Sequence, residues 1–325
     1  MALYAVRNHV LNFAIFLVLA IAGQVRAAET PAFDDLRWLD PNADRVTALT
    51  RAVPEPLKLK GLDADQRFLV ELGRIAFRAP DTLGGLAARW GVSCQTCHIN
   101  GGRNASFFIE GLSGAPGTFD TTNAVFNTRT QDHAADPLPI PVLYDVANTA
   151  PYAHDGRYGR LEDMVTHVIE DEFTGATPEP IVFLGLLNYL SALGTPSGEE
   201  TMKLDFGNAY RDVARGTKTL ETALKIEDAR LVDFIVQALR RDLGRMAARF
   251  PGEDDTLSLL AEMSAGLRDI ARDAQGGDFN LARVSLASFE RALDKAEGKL
   301  ARRAPHSLYN PDVLRAALKA LDAPQ

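Results

Sequence analysis

Apolar residues recur at helical spacing through most of this chain, and the intervals where that spacing fails divide it. Between Asp65 and Phe77, the residues Phe68, Leu69, Leu72, Ile75 and Ala76 fall on one helical face, with Asp63 or Asp65 placed to cap its start. A second helix is predicted from Leu161 to Glu172, where Leu161, Met164, Val165 and Val168 share a face. A third runs from about Pro180 to Leu193, and Val182, Leu184, Leu186, Leu187, Tyr189 and Leu190 make it apolar nearly all round, which predicts burial. Gly194, Pro196 and Gly198 then break the chain and place a boundary near residue 200. Beyond it, segments near 208–223, 227–249, 254–274, 278–303 and 310–321 keep 3.6-type spacing, interrupted by Pro251-Gly252 and Gly276-Gly277. Long amphipathic helices with short connections predict an antiparallel bundle. Its charge clusters, such as Arg240, Arg241, Asp242 and Arg245, read as a solvated helix face.

Three stretches lack this period. Leu11 to Gly23 is a largely apolar run preceded by Arg7 and followed by Val25-Arg26-Ala27, the pattern of a cleaved export signal with the mature chain starting near Ala28. The run is short of the ~20 residues a bilayer-spanning helix needs, and no later segment is apolar enough to span. Thr30 to about Pro56 is polar and punctuated by proline, and reads as an extended arm. From Gly101 to about Pro141 the chain is rich in Gly, Asn, Thr and Pro, yet carries Phe107, Phe108, Ile109, Phe119 and Phe126. A loop of that length inside a domain is usually functional or disordered, and a bound apolar cofactor would give those rings something to cover.

The expected fold class is all-α: a signal peptide over 1–27, an arm over 28–56, a cofactor-bearing domain with long loops over 57–199, and a helical bundle over 200–325. The net charge of −8 argues against a general nucleic-acid-binding surface. Residues 1–200 hold 15 Lys+Arg against 24 Asp+Glu, while residues 201–325 hold 20 against 19. The acidic excess therefore lies in the first part, and suits either solubility or a partner with a basic docking surface.

Both cysteines of the chain lie in Cys94-Gln95-Thr96-Cys97-His98. A C-x-x-C-H run is the signature of c-type haem attachment: two thiols at this spacing reach the two vinyl groups of one porphyrin as thioethers, and the next histidine is held on the proximal side of the iron. A thioredoxin-type dithiol would sit in a strand–helix setting that this neighbourhood lacks. A structural zinc site would need further cysteine or histidine ligands at suitable spacing, and there is no third cysteine. The expected cofactor is one covalent haem c, with His98 as an iron ligand. For the sixth iron position His133, His154, His167, Met164 and Met202 are the candidates. His167 and Met164 lie three residues apart on one predicted helix and so can face the same haem edge.

Two further stretches carry a family resemblance. Ile140-Pro141-Val142-Leu143-Tyr144-Asp145-Val146-Ala147-Asn148-Thr149-Ala150-Pro151-Tyr152-Ala153-His154-Asp155-Gly156-Arg157, followed by Leu161-Glu162-Asp163-Met164-Val165, resembles the second haem domain of the bacterial di-haem cytochrome c peroxidase and MauG-like family. Glu71 to Phe77 is similar to the L-G-R-x-L-F helix ahead of that family's haem motif, and Leu187 to Leu193 to its closing helix. The likeness covers roughly residues 65–195. It implies a cytochrome c fold for that part and haem-propionate contacts at the family's L-R-N arginine. Tyr144 stands at that position here, which leaves Arg103, Arg129 or Arg157 to supply the charge. The family carries two C-x-x-C-H motifs, and this chain carries one. The family's distal Met or Tyr falls on Val168, which cannot bind iron.

Together these residues lead to the expectation of a periplasmic single-haem electron carrier with a redox protein partner. Two alternatives stand beside it. One is a peroxidase-like enzyme with an open iron site, using Glu110, His133 or His154 as acid or base. The other is a haem-bearing sensor or assembly protein in which the bundle is the active part.

Overall fold

Asp63 accepts a hydrogen bond from Gln66 N while the Gln66 side chain accepts from Asp63 N, a reciprocal cap that starts the helix preceding the cysteine motif. The computed structural model describes residues 37–123, 125–197 and 202–322. The predicted signal peptide, residues 1–27, lies outside them, as does the start of the arm. Among the described residues, eleven α-helices follow in chain order: α1 (Arg45–Thr50), α2 (Ala64–Arg78), α3 (Gly85–Trp90), α4 (Cys94–Cys97), α5 (Leu161–His167), α6 (Pro180–Ala192), α7 (Phe206–Ile226), α8 (Ala229–Ala247), α9 (Asp254–Gln275), α10 (Phe279–Arg303) and α11 (Pro311–Leu321). Among the described residues, strands are two-residue pieces: β1 (Arg51–Ala52) pairs antiparallel with β4 (Met202–Lys203), and β2 (Thr118–Phe119) with β3 (Leu138–Pro139). The chain is thus mostly helical. Among the described residues no helix is long and apolar enough to cross a membrane.

The bundle helices begin where side-chain caps allow. Asp205, Asp228, Asp278 and Asn310 each accept from backbone N–H groups in the first turn of α7, α8, α10 and α11. Helix α7 starts two residues before the periodic segment because Asp205 caps it. It stops where Glu227 takes a left-handed conformation at φ 60°.

Two differences from the sequence reading matter. The arm is not simply extended, because its described part folds α1 on an Asp44 cap and pairs β1 with β4. The division expected near residue 200 falls within one compact unit that contains all the described residues. Arg74 on α2 is almost fully buried and reaches Asp212 on α7 at 2.5 Å, and Arg78 reaches the other oxygen of that carboxylate at 2.8 Å. Arg241 on α8 likewise holds Asp81, just past α2, at 2.6 Å. A continuous core runs from Leu72 and Phe77 through Leu186 and Tyr189 to Leu220, Ile235 and Leu267.

Candidate haem attachment site

The cysteine motif forms a single helical turn. Ser93 caps it, with Ser93 N donating to Thr96 Oγ1, and His98 follows in a non-helical conformation at φ −116°, ψ 66°. Cys94 and Cys97 are free thiols, half-buried and packed against the core. Burial pushes the Cys94 thiol up to about 12, and pushes Cys97 higher still with help from the nearby charges of Cys94 and Glu172. Both are therefore protonated near neutrality. A redox-active C-x-x-C pair works through a depressed thiol pKa, so the shift runs against that reading.

The histidine is oriented by a distant backbone group. His98 Nδ1 lies 3.0 Å from the Pro141 carbonyl oxygen. Burial holds the ring down to about 4, partly offset by that hydrogen bond, so it is neutral at pH 7. A carbonyl can only accept, so Nδ1 carries the proton and the lone pair sits on Nε2. A metal-ligating histidine is typically held this way, with its other ring N–H given to a carbonyl or carboxylate. The loop after the motif is closed by Asn104 N donating to Cys97 O at 2.8 Å, Asn104 Nδ2 to Thr96 O at 3.0 Å, and Leu143 N to Gly101 O at 2.7 Å. Asn100, left-handed at φ 52°, donates through Nδ2 to Val53 O and accepts from Arg78 Nη2 and Gln95 Nε2. This donor set fits one haem c: two unpaired thiols three residues apart on one turn, and an adjacent imidazole whose Nε2 is unprotonated.

On the opposite side of the sequence, the predicted 161–172 helix changes character. It is α-helical to His167 and then widens into a π-turn over Val168–Glu172, closed by Phe173 N donating to Val168 O at 3.2 Å. The wider turn keeps Ile169 and Phe173 in the core and brings Glu172, five residues on, beside His167. His167 Nδ1 lies 2.9 Å from Asp171 Oδ2 and its Nε2 lies 3.8 Å from Glu172 Oε1, so both ring nitrogens face carboxylates. The Tyr158 ring lies 5.1 Å from the imidazole, centroid to centroid. Buried Asn127 pins the turn by donating to the Asp171 carbonyl. Burial raises the Glu172 carboxyl above the ordinary range, against the pull of His167, and Glu172 lies within electrostatic reach of Cys97. The structure thus sets beside His167 a carboxyl that sequence reasoning missed. Five-residue spacing carries no signal on a helix assumed to be regular.

The other predicted residues are distributed differently. Met164 and Val168 are half-buried against the core. Arg103 is exposed. Arg157 is exposed and ion-paired with Asp155, its Nε 2.9 and 2.7 Å from the two carboxylate oxygens. Arg129 is exposed and donates to Glu170 O at 2.9 Å. Tyr144 packs its hydroxyl onto Gly102, where a Cβ would approach it to 2.7 Å, and burial raises its pKa. Glu110, His133 and His154, the expected acids or bases, are all exposed. Met202 lies on β4. The aromatic residues of the long loop pack on one another: Phe119 meets Phe107 at 5.6 Å, Phe126 at 5.9 Å and Phe173 at 6.4 Å, and Trp90 meets Phe126 at 5.5 Å. Among the described residues no group of three or more His, Cys, Asp and Glu is gathered to hold a bare metal ion.

Comparison with protein-family models, with curated proteins and with solved structures finds no match to this chain. The chemistry of the site itself therefore carries the functional reading.

Proposed function

We propose that this chain is an exported c-type cytochrome that carries one haem on Cys94 and Cys97, has His98 as proximal ligand, and passes electrons to or from a protein partner. The observation that carries the reading is the hydrogen bond from His98 Nδ1 to the Pro141 carbonyl, which leaves Nε2 with its lone pair directly after two unpaired cysteines. The bound haem would supply an iron centre that changes oxidation state by one electron. The chain's own part is to hold the cofactor covalently, to fix the imidazole, and to present a docking surface. The sixth position we assign to the helix face that carries Met164 and His167, whose imidazole sets Nδ1 2.9 Å from Asp171 Oδ2 and has Nε2 3.8 Å from Glu172 Oε1. The acidic excess of residues 1–200 suits a basic redox partner met in salt-sensitive encounters. The Thr149 to Gly156 segment supports placing the chain beside the di-haem cytochrome c peroxidases as a single-haem relative.

A second reading, a peroxidase-like enzyme, is favoured by one observation: a half-buried carboxyl with raised pKa, Glu172, stands next to His167. A carboxyl raised by burial is the kind of group that serves as general acid or base. The optical spectrum of the reduced, exported protein separates the two readings. A low-spin spectrum indifferent to carbon monoxide is expected for the carrier, whereas a high-spin spectrum that shifts with carbon monoxide would establish an open iron site. Cys94→Ala with Cys97→Ala should abolish haem staining on a denaturing gel, and stain retained by that variant would overturn both.

A further inference from the structure

Asn100 lies two residues past His98 in a left-handed conformation, φ 52°, and Gly101 follows at φ 83°. A non-glycine residue persists in that conformation where its surroundings hold it. Here the side chain is held from three directions. Its Oδ1 accepts from Arg78 Nη2 on α2 at 2.7 Å and from Gln95 Nε2, inside the motif, at 3.1 Å. Its Nδ2 donates to Val53 O of the arm at 2.6 Å. Gln95 completes the pairing through Oε1, which accepts from Asn100 N at 2.9 Å. Both acceptor positions of the Asn100 amide oxygen are thus used.

The turn held in this way carries the imidazole. Gly101 N donates to His98 O at 3.0 Å and closes residues 98–101 into one turn. Two hydrogen bonds then join that turn to the stretch from Pro141 to Leu143: His98 Nδ1 to Pro141 O at 3.0 Å, and Leu143 N to Gly101 O at 2.7 Å. A shift of the turn against that stretch therefore alters the hydrogen bond of the imidazole itself. A carbonyl that accepts from a ligating histidine orients the ring and raises its basicity. We propose that Asn100 is a positioning residue for His98: through Arg78, Val53 and Gln95 it fixes the turn on which the imidazole meets Pro141, and so sets the reduction potential of the bound iron. The inference rests on the haem reading of the motif.

A more basic imidazole favours ferric iron, so loosening the turn should raise the potential. Asn100→Gly tolerates the left-handed backbone and removes the three side-chain bonds. The full-length holoprotein with that change should show a reduction potential above the parent's. Gln95→Ala removes the same pairing from the motif side and should shift the potential in the same direction. The double variant should shift it by less than the sum of the two, because both changes break one pairing. A second readout uses the full chain without haem, its histidines labelled with nitrogen-15. There the His98 Nδ1–H should exchange with water faster in Asn100→Gly than in the parent. A potential unchanged in both single variants, or an unaltered exchange rate, would overturn the proposal. If Asn100→Gly fails to fold, Gln95→Ala carries both measurements. A parent chain that binds no haem would overturn the reading of the motif, and the exchange rate would still decide whether Asn100 positions His98.

Discussion

Gly73 on α2 and Gly185 on α6 meet backbone to backbone: a Cβ on Gly73 would lie 1.9 Å from the Gly185 carbonyl oxygen and 2.7 Å from Tyr189 Cβ. No side chain can move to relieve that contact, since the obstacle is the facing helix itself. The close crossing seats Tyr189, fully buried, where its hydroxyl donates to Glu55 at 2.8 Å and its ring meets Phe77 at 5.1 Å.

Gly73→Ala is therefore expected to force α2 and α6 apart, at a cost at or above the ~1–3 kcal/mol typical of an overpacked core. Gly185→Ala should cost less, because its nearest obstacle, Gly73 N, lies at 3.0 Å. Denaturant unfolding of both variants checks the order, and equal midpoints would contradict the crossing.

Glu55 governs the acid limb of stability. Burial alone would raise its carboxyl, but Arg78 and Arg74 outweigh burial and hold it at about 2; Asp212, facing the same two arginines, is also lowered. A depressed folded-state pKa contributes stability that is present above the ordinary carboxylate value and is lost as pH falls through the folded value. Unfolding free energy should therefore decline as pH is lowered from about 4.5 toward 2. Glu55→Gln should flatten that decline and, by leaving two buried guanidiniums underpaired, destabilise the protein by about 3–5 kcal/mol at pH 7. Unfolding curves across that pH range measure both effects.

Ending the chain before α7 removes Asp212 from Arg74 and Arg78 and strips the core of Leu220 and Ile235. A fragment of residues 28–199 is expected to be insoluble or to lack cooperative unfolding by circular dichroism. A fragment that melts cooperatively would show that the helices before residue 200 fold without the bundle.

Met164→Ala and His167→Ala divide the sixth-ligand question. With Met164 on iron, the methionine variant becomes reactive to carbon monoxide and the histidine variant keeps the parent reduced spectrum. The reverse pattern would assign the histidine to iron. Unchanged spectra in both variants, with carbon monoxide binding already present in the parent, would favour the enzyme reading.

Much of this protein is determined locally. Helical periodicity and the proline and glycine breaks located every long helix of the bundle to within a few residues, because the periodicity depends on neighbours three or four positions away. The cysteine motif is legible for the same reason, since its chemistry is set by spacing within five residues. What tertiary structure decided are the contacts between distant segments. Arg74 finds Asp212 across 138 residues, and His98 finds the Pro141 carbonyl across 43. No local pattern encodes which buried charge meets which, or which carbonyl faces an imidazole. The position of Glu172 is not legible for a related reason: packing of Phe173 among Phe119 and Phe126 accompanies the widened turn that sets this carboxyl beside His167. Periodicity locates helices, but the register at which they widen, cross and exchange charges is set by the core that they build together.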